Sequence, residues 1–317
     1  MKIKHVLFFF IIVFLVLFFV LIIGSYIPYP CSGGKWENIT SNSSFTNPLE
    51  KDKPIVIEAL LGSKKIHLLI DTGSTDSYLL SYVIDGIKIK KNQFLLPIYY
   101  SGSRLNIRFY PRIVTYEPFV IGPYKGEEIE WFVDDKNIAL SEYSKAVGYA
   151  IDGVIGRNIL NNFIMILDFE NKKMLLLRNK EEIPIYNATL VTTVPISQTS
   201  EIPIILENHD DRMLIDTGSD GYVLKYEFGL LLSKERAEER TFYTSGKEIK
   251  HVVKKDIIDI RIGNIVVTYF PVYRIVSFKN FFSYQQLLAG MEFICQFNWI
   301  FNFRDSEVTV IVPNKRN

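Results

Sequence analysis

The chain has 317 residues, of which 48% are apolar, and its 36 basic and 35 acidic side chains give a formal net charge of +1. This composition excludes a wholly disordered chain, and the balanced charge without basic blocks argues against nucleic acid as a partner. Two distant cysteines and four scattered histidines exclude a disulfide scaffold and a zinc finger, so no metal and no other cofactor is expected.

The N-terminus carries an unbroken apolar run after a basic start. The run covers residues 6–23, which is 18 residues, and as a helix it would span about 27 Å, close to the hydrocarbon core of a bilayer. Signal peptides usually have shorter runs that end at a small-x-small site, and this sequence has no such site. We therefore expect residues 1–25 to be a signal anchor, a single transmembrane helix that leaves the body outside the cytoplasm. A cleaved signal that releases a secreted protein is the alternative.

Residues 26–52 are expected to form a flexible tether. They are rich in Ser, Asn, Thr and Gly and show no hydrophobic periodicity. Cys31 is interpreted as a free cysteine of this tether, because Pro28-Tyr29-Pro30 before it lacks the small residues of a lipoprotein signal.

The rest of the chain contains an internal repeat. The segment LIDTGS at residues 69–74 recurs at residues 214–219. Further on, residues 156–177 align without gaps with residues 290–311, so that Ile166 falls on Ile300. Two matches in the same order are hard to obtain by chance, and they predict a tandem duplication.

The duplication predicts two similar lobes, residues 53–190 and 191–317, that are mainly β. Alternating β-rich runs predict hairpins around Gly62-Ser63, around residues 208–211 and around Gly263-Asn264. A short helix followed by a strand at residues 164–169 is expected after Gly156. Each lobe should therefore contain strands and about one helix.

One Asp-Thr-Gly triplet has little weight, because Asp and Gly are ordinary turn residues. Two copies in equivalent places of a duplicated body are a much more specific signal. Together with Asp152–Leu160 (DGVIGRNIL), they resemble the aspartic proteases, and most closely the retropepsin-like branch. The resemblance covers residues 53–313, and both halves lie in one chain as in pepsins. It implies two acid-protease lobes that share one active site.

The resemblance implies that Asp71 and Asp216 are the catalytic pair. Two adjacent carboxyls cannot both ionise, so one retains a proton and the pair acts as both acid and base on a water molecule. The threonines are expected to bond across to the opposite lobe, the glycines to permit close approach, and the serine hydroxyls to donate to the carboxylates. These supporting residues are Thr72, Gly73, Ser74, Thr217, Gly218 and Ser219.

Two further hairpins are expected to close over the substrate as flaps. Their candidate residues are Tyr100 and Gly102 in the first lobe and Tyr243 and Gly246 in the second, with each glycine about 30 positions after its aspartate. Ordinary surface hairpins are the alternative, since tight turns often contain glycine.

Arg157 matches an arginine that pairs with an aspartate in retroviral enzymes. Here Thr75 occupies the place of that aspartate, Asp76 follows it, and the second lobe has Met291 instead of an arginine. At most one lobe can therefore keep this ion pair. The remaining residues of note, His67, His251 and Cys295, are interpreted as structural.

The sequence thus predicts a membrane-tethered aspartic endopeptidase with a monomeric body, anchored through residues 6–23, that acts on polypeptides without a cofactor. A catalytically silent binding protein with the same bilobal fold is the alternative. A single lobe that works only as a homodimer is disfavoured, because both triplets are already present in this chain.

Overall fold

The computed structural model describes residues 12–14, 17–18, 31–40, 44–51, 53–94, 98–101, 104–107, 111–134, 138–219, 223–227, 237–244, 247–276 and 287–313. This part of the chain is mainly β, as predicted. Most of the predicted signal anchor (residues 1–25) lies outside it. Among the described residues, no helix has both the length and the apolar character needed to cross a membrane.

The strands of the N-terminal half (residues 31–187) are β1 (Gly33–Asn38), β2 (Ser44–Pro48), β3 (Val56–Leu61), β4 (Lys64–Ile70), β5 (Tyr78–Leu80), β6 (Ile89–Phe94), β7 (Ile98–Ser101), β8 (Arg104–Ile107), β9 (Pro111–Thr115), β10 (Phe119–Ile121), β11 (Tyr124–Asp134), β12 (Gly153–Ile155), β13 (Ile164–Asp168) and β14 (Lys173–Leu177). Its helices are α1 (Ile138–Val147) and α2 (Arg157–Leu160), with 3₁₀ turns at Ser81–Val83 and Lys180–Glu182.

The strands of the C-terminal half (residues 188–313) are β15 (Ala188–Pro195), β16 (Glu201–Leu206), β17 (His209–Ile215), β18 (Val223–Glu227), β19 (Ala237–Thr244), β20 (Lys247–Ile262), β21 (Ile265–Val276), β22 (Leu287–Ala289), β23 (Asn298–Asn302) and β24 (Glu307–Pro313). Its helix is α3 (Met291–Ile294).

Each half builds a sheet with the same strand order. The N-terminal sheet runs β3-β4-β12-β5-β11-β9-β6, with β10 beside β3 and β1 beside β11. The C-terminal sheet runs β16-β17-β22-β18-β21-β20-β19. The directions match as well: β4 is parallel to β12 as β17 is to β22, and β5 is parallel to β11 as β18 is to β21. The strands that lead into the two Asp-Thr-Gly-Ser motifs, β4 and β17, therefore occupy equivalent places.

A third sheet joins the two halves, with the order β15-β24-β23-β13-β14-β2. At its centre β13 pairs antiparallel with β23, and Ile166 lies opposite Ile300. These residues are also equivalent in the sequence repeat, so a local twofold axis passes between them. The outer edges of this sheet are β2 from the N-terminal half and β15 from the C-terminal half. Because β15 begins at Ala188, the predicted lobe boundary at residue 190 falls inside a strand.

The hairpins come from local turn chemistry. β3 and β4 turn at Gly62-Ser63, and β20 and β21 turn at Gly263-Asn264, as predicted. The turn between β16 and β17 lies at Glu207-Asn208, which overlaps the predicted residues 208–211 only at Asn208, and both residues have positive φ (50° and 65°). A two-residue turn with two left-handed residues matches the twist of its strands, which explains the tighter connection.

The core is continuous through both halves. All residues of β13 and β23 are buried, because the two faces of the third sheet are both covered. One face contributes to the main core with Met165, Leu167 and Phe301, and the other packs under Ile183 and Tyr186. The continuous apolar runs of these strands follow from burial on two faces.

The prediction of a flexible tether for residues 26–52 is wrong where the structure describes them. β1 pairs with β11, and β2 pairs with β14. The Trp36 side chain packs edge-on against Phe163, with 4.8 Å between ring centroids, and donates through Nε1 to Gly33 O at 2.7 Å. Cys31 is a free cysteine as predicted, but it is buried. One large aromatic side chain supplies enough buried area to hold a polar segment on the fold.

We expect Trp36→Ala to lower the free energy of unfolding by about 3 kcal/mol, since it removes a buried aromatic side chain. Ile39→Ala is the matched control, because Ile39 lies just beyond β1 and is 48% exposed. Chemical denaturation of both variants measures the difference. Equal stability of the Trp36 variant and the wild type would contradict the docking of this segment.

α1 is the helix that sequence reasoning missed, because only about one helix per lobe was expected. Its signal is the spacing of Leu140, Tyr143 and Val147, which places three larger apolar side chains on one helix face. Leu140 and Tyr143 are buried in a small cluster that includes Leu69 and Val154. The helix also contacts β20 and so bridges the two halves.

Candidate active site

The two motif aspartates lie at equivalent strand ends. Asp71 follows β4, and its N–H donates to Ile155 O of β12 at 3.0 Å. Asp216 follows β17, and its N–H donates to Ala289 O of β22 at 2.9 Å. Leu69 and Ile70 before Asp71 and Ile215 before Asp216 are buried in the sheets, whereas both aspartates remain partly exposed. The sheets therefore fix the backbone and leave the carboxyls open to a substrate.

Thr72 and Thr217 join the two halves through reciprocal hydrogen bonds. Thr72 Oγ1 donates to Ile215 O at 2.6 Å, and Thr217 Oγ1 donates to Ile70 O at 2.9 Å. Each hydroxyl also accepts from the other threonine's N–H, at 3.0 and 3.1 Å. Each threonine is only 1% exposed, so these bonds are shielded from water. The cross-lobe bonds implied by the resemblance are present.

The two glycines bring each loop against the opposite carboxyl. A Cβ placed on Gly73 would lie 2.6 Å from Asp216 Cγ, and one on Gly218 would lie 2.4 Å from Asp71 Cγ. Ordinary carbon contacts are about 3.5 Å or longer, so only glycine fits at either position. The same glycines donate their N–H groups to the aspartate of their own motif, Gly73 at 2.8 Å and Gly218 at 2.9 Å.

Burial raises the pKa of the Asp71 carboxyl above its ordinary value. The opposing influences are smaller: a hydrogen bond with the Asp216 side chain and the N–H groups of Gly73 and Ser74, which favour the ionised form. The two carboxyls therefore interact directly, and they are placed to share a proton. Such a pair can accept a proton from water and donate one to a substrate.

The two serine hydroxyls differ from the prediction. Ser74 Oγ donates to Asp76 O at 2.7 Å, and it is the Ser74 backbone N–H that reaches Asp71 Oδ1, at 3.0 Å. Ser219 Oγ is buried and has no hydrogen-bond partner among the described residues. The tight turn after each aspartate directs the main-chain N–H toward the carboxylate, so Ser74 uses its backbone where its hydroxyl was expected.

Arg157 is buried without a carboxylate partner in the described part of the chain. Its Nη1 donates to Ser197 O at 3.1 Å and to Ser200 Oγ at 2.8 Å, and its guanidinium lies 4.0 Å from the ring centroid of Phe303. Burial lowers its pKa to about 10. The ion pair that at most one lobe was expected to keep is not found among the described residues, and contacts to the C-terminal half take its place. The Ser200 hydroxyl in turn donates to Thr72 O.

The two candidate flaps are hairpins in the described backbone. β7 pairs with β8 up to Ser101 and Arg104, and β19 pairs with β20 up to Thr244 and Lys247. Tyr100 and Tyr243 therefore lie on hairpin strands. Gly102 and Gly246 lie outside the described residues.

Tyr143 is the residue near the aspartates that sequence reasoning missed. Its hydroxyl donates to Gly218 O at 2.5 Å, from 75 positions earlier in the chain. Nothing in the motif spacing points to it, because α1 lies outside the repeated segments. Across the described residues, no group of three or more His, Cys, Asp or Glu side chains is arranged to hold a metal ion.

Comparison with protein-family models and with curated proteins finds no match for this chain.

Proposed function

We propose that this protein is an aspartic endopeptidase with Asp71 and Asp216 as its catalytic pair. The observation that carries the proposal is the mutual packing of the two motifs: each glycine packs against the other half's aspartate, which places the two carboxyls at one site. A turn that served only the fold would not need two carboxyls held together and left partly exposed.

The chemistry follows from that arrangement. A singly protonated pair activates water with its ionised carboxylate and protonates the carbonyl oxygen or leaving nitrogen with the other carboxyl. The threonine bonds hold both loops rigid, so the pair needs little rearrangement during the reaction. The substrate is a polypeptide, and the hairpins β7–β8 and β19–β20 are the candidate flaps. No metal or other cofactor takes part.

The finer description of the fold is part of the proposal. Equal strand order in the two sheets supports two acid-protease lobes that arose by internal duplication. The apolar run at residues 6–23 supports a membrane anchor that holds a monomeric catalytic body outside the cytoplasm.

The experiment is a cleavage profile of the full-length chain on a peptide library, between about pH 3 and pH 8. We expect internal cleavage that pepstatin inhibits and EDTA leaves unchanged. Because burial raises the pKa of Asp71, the pair keeps its proton to higher pH than two ordinary carboxyls would. Activity should be highest below neutrality and fall as the pH rises through the apparent pKa at which the pair loses that proton.

Two outcomes would contradict the proposal. Cleavage that EDTA abolishes and pepstatin leaves unchanged would contradict an aspartic mechanism. Tight pepstatin binding without cleavage of any peptide would favour the alternative, a catalytically silent binding protein with the same fold.

A further inference from the structure

The ring of Tyr143 belongs to the N-terminal half, but its hydroxyl acts on the C-terminal half. The side chain is 5% exposed and packs in the cluster with Leu69 and Val154, which lie on the strands that lead to and support Asp71. Its hydroxyl bonds to Gly218 O at 2.5 Å, beside Asp216. One rigid side chain therefore links the framework of one aspartate to the loop of the other.

Gly218 is the residue that lies between the two carboxyls. Its N–H donates to Asp216 Oδ1 at 2.9 Å, and its Cα is packed against the Asp71 carboxyl, as the 2.4 Å from its ideal Cβ position to Cγ shows. Any displacement of Gly218 therefore changes the position of one carboxyl relative to the other. The carbonyl that Tyr143 holds is in the peptide group that follows this glycine.

Within the described residues, this restraint is found on one motif only. Gly73 is the equivalent residue in the first motif, and no side chain among the described residues donates to its carbonyl. The loop of Asp71 has a second restraint of its own, because Ser74 N–H bonds to the same carboxylate oxygen as Gly73 N–H, Asp71 Oδ1. Tyr143 restrains the Asp216 loop from outside its own half.

We propose that Tyr143 is a positioning residue of the active site. Its hydroxyl holds the Gly218–Ser219 peptide and so fixes the separation and orientation of the Asp71 and Asp216 carboxyls. The proposal deepens the proposed peptidase function and rests on it for its kinetic consequences. The structural consequence, a more mobile Asp216 loop when the hydroxyl is removed, does not depend on that function.

The test compares Tyr143→Phe with Tyr124→Phe in the full-length protein. Tyr124 is a matched control: it is fully buried and its hydroxyl also donates to a backbone carbonyl, Leu176 O at 2.9 Å, away from both motifs. Both variants keep the aromatic ring and lose one hydroxyl, so both should lose similar thermal stability.

We expect Tyr143→Phe to lower kcat about tenfold with little change in KM, because the reacting groups are misplaced while the substrate contacts remain. The pH–rate profile should shift with it, since the interaction between the carboxyls sets the apparent pKa values of the pair. Tyr124→Phe should keep the wild-type kcat and profile. Wild-type kcat and pH profile in Tyr143→Phe, or an equal change in both variants, would overturn the proposal.

Amide hydrogen exchange of residues 216–219 separates this inference from the proposed function. We expect faster exchange in Tyr143→Phe than in the wild type and in Tyr124→Phe. If the wild type cleaves no peptide, the proposed function fails, and this measurement alone decides the role of Tyr143. Unchanged exchange in Tyr143→Phe would overturn it.

Discussion

Asp71→Asn and Asp216→Asn are each expected to reduce peptide hydrolysis by about 10²–10⁴-fold or more, because either change removes the shared acid and base. Asparagine has nearly the shape of a protonated aspartic acid, so the packing against Gly73 and Gly218 is kept. The measurement is kcat/KM for both variants on a peptide that the wild type cleaves, together with their thermal unfolding.

Asp210→Asn is the matched control for this pair. Asp210 is an exposed residue of β17, the strand that Asp216 follows. It should keep wild-type turnover. Turnover near the wild-type value in Asp71→Asn or Asp216→Asn would show that these two aspartates do not carry out the hydrolysis.

Gly73→Ala and Gly218→Ala should lower the rate of peptide hydrolysis nearly as much as loss of the carboxyls themselves. A methyl group at 2.4–2.6 Å from the opposite carboxyl carbon forces one loop to move by about 1 Å. A displacement of that size lowers the rate by about 10²-fold when it separates reacting groups. Overpacking also lowers the free energy of unfolding by about 1–3 kcal/mol. Steady-state kinetics on the folded variants measures the first effect, and denaturation measures the second.

Gly86→Ala separates the local clash from a general loss of stability. Gly86 has φ +79°, and a Cβ there would meet no heavy atom within 4 Å. Its substitution therefore costs about 1 kcal/mol of backbone strain without touching the site. It should leave kcat unchanged. If either motif alanine also left kcat unchanged, the close approach of the loops would have no catalytic role.

Short-range pattern and internal repetition account for what the sequence predicts well. Hairpins at Gly62-Ser63 and Gly263-Asn264 follow from turn residues between alternating runs, which depend on neighbours only. From the sequence, Ile166 and Ile300 could be predicted to occupy equivalent positions, but not to pair with each other. The alignment shows that the two residues correspond, and only the assembled sheet shows that they face each other.

For the two serines, the position in the motif did not predict the hydrogen bonds of the hydroxyl groups. A side chain after Asp-Thr-Gly can donate to the carboxylate or to a nearby carbonyl, and the residue type is compatible with both. The turn geometry selects Asp76 O for the Ser74 hydroxyl. Arg157 is similar, because its type indicates a charged partner, whereas the fold gives it carbonyl, hydroxyl and aromatic contacts from the other half.

By itself, the sequence determined that this protein is mainly β, that its body is repeated, and that Asp71 and Asp216 are equivalent. These properties follow from local hydrophobic periodicity and from direct repetition of residues. Only the tertiary structure decided that residues 33–38 form a strand, and that Tyr143 reaches Gly218. Both depend on contacts between residues 75 or more positions apart, such as Gly33 with Ile129. Such contacts leave no periodic signal, because they are selected by the shape and hydrogen-bonding needs of the packed surfaces and not by neighbouring residues.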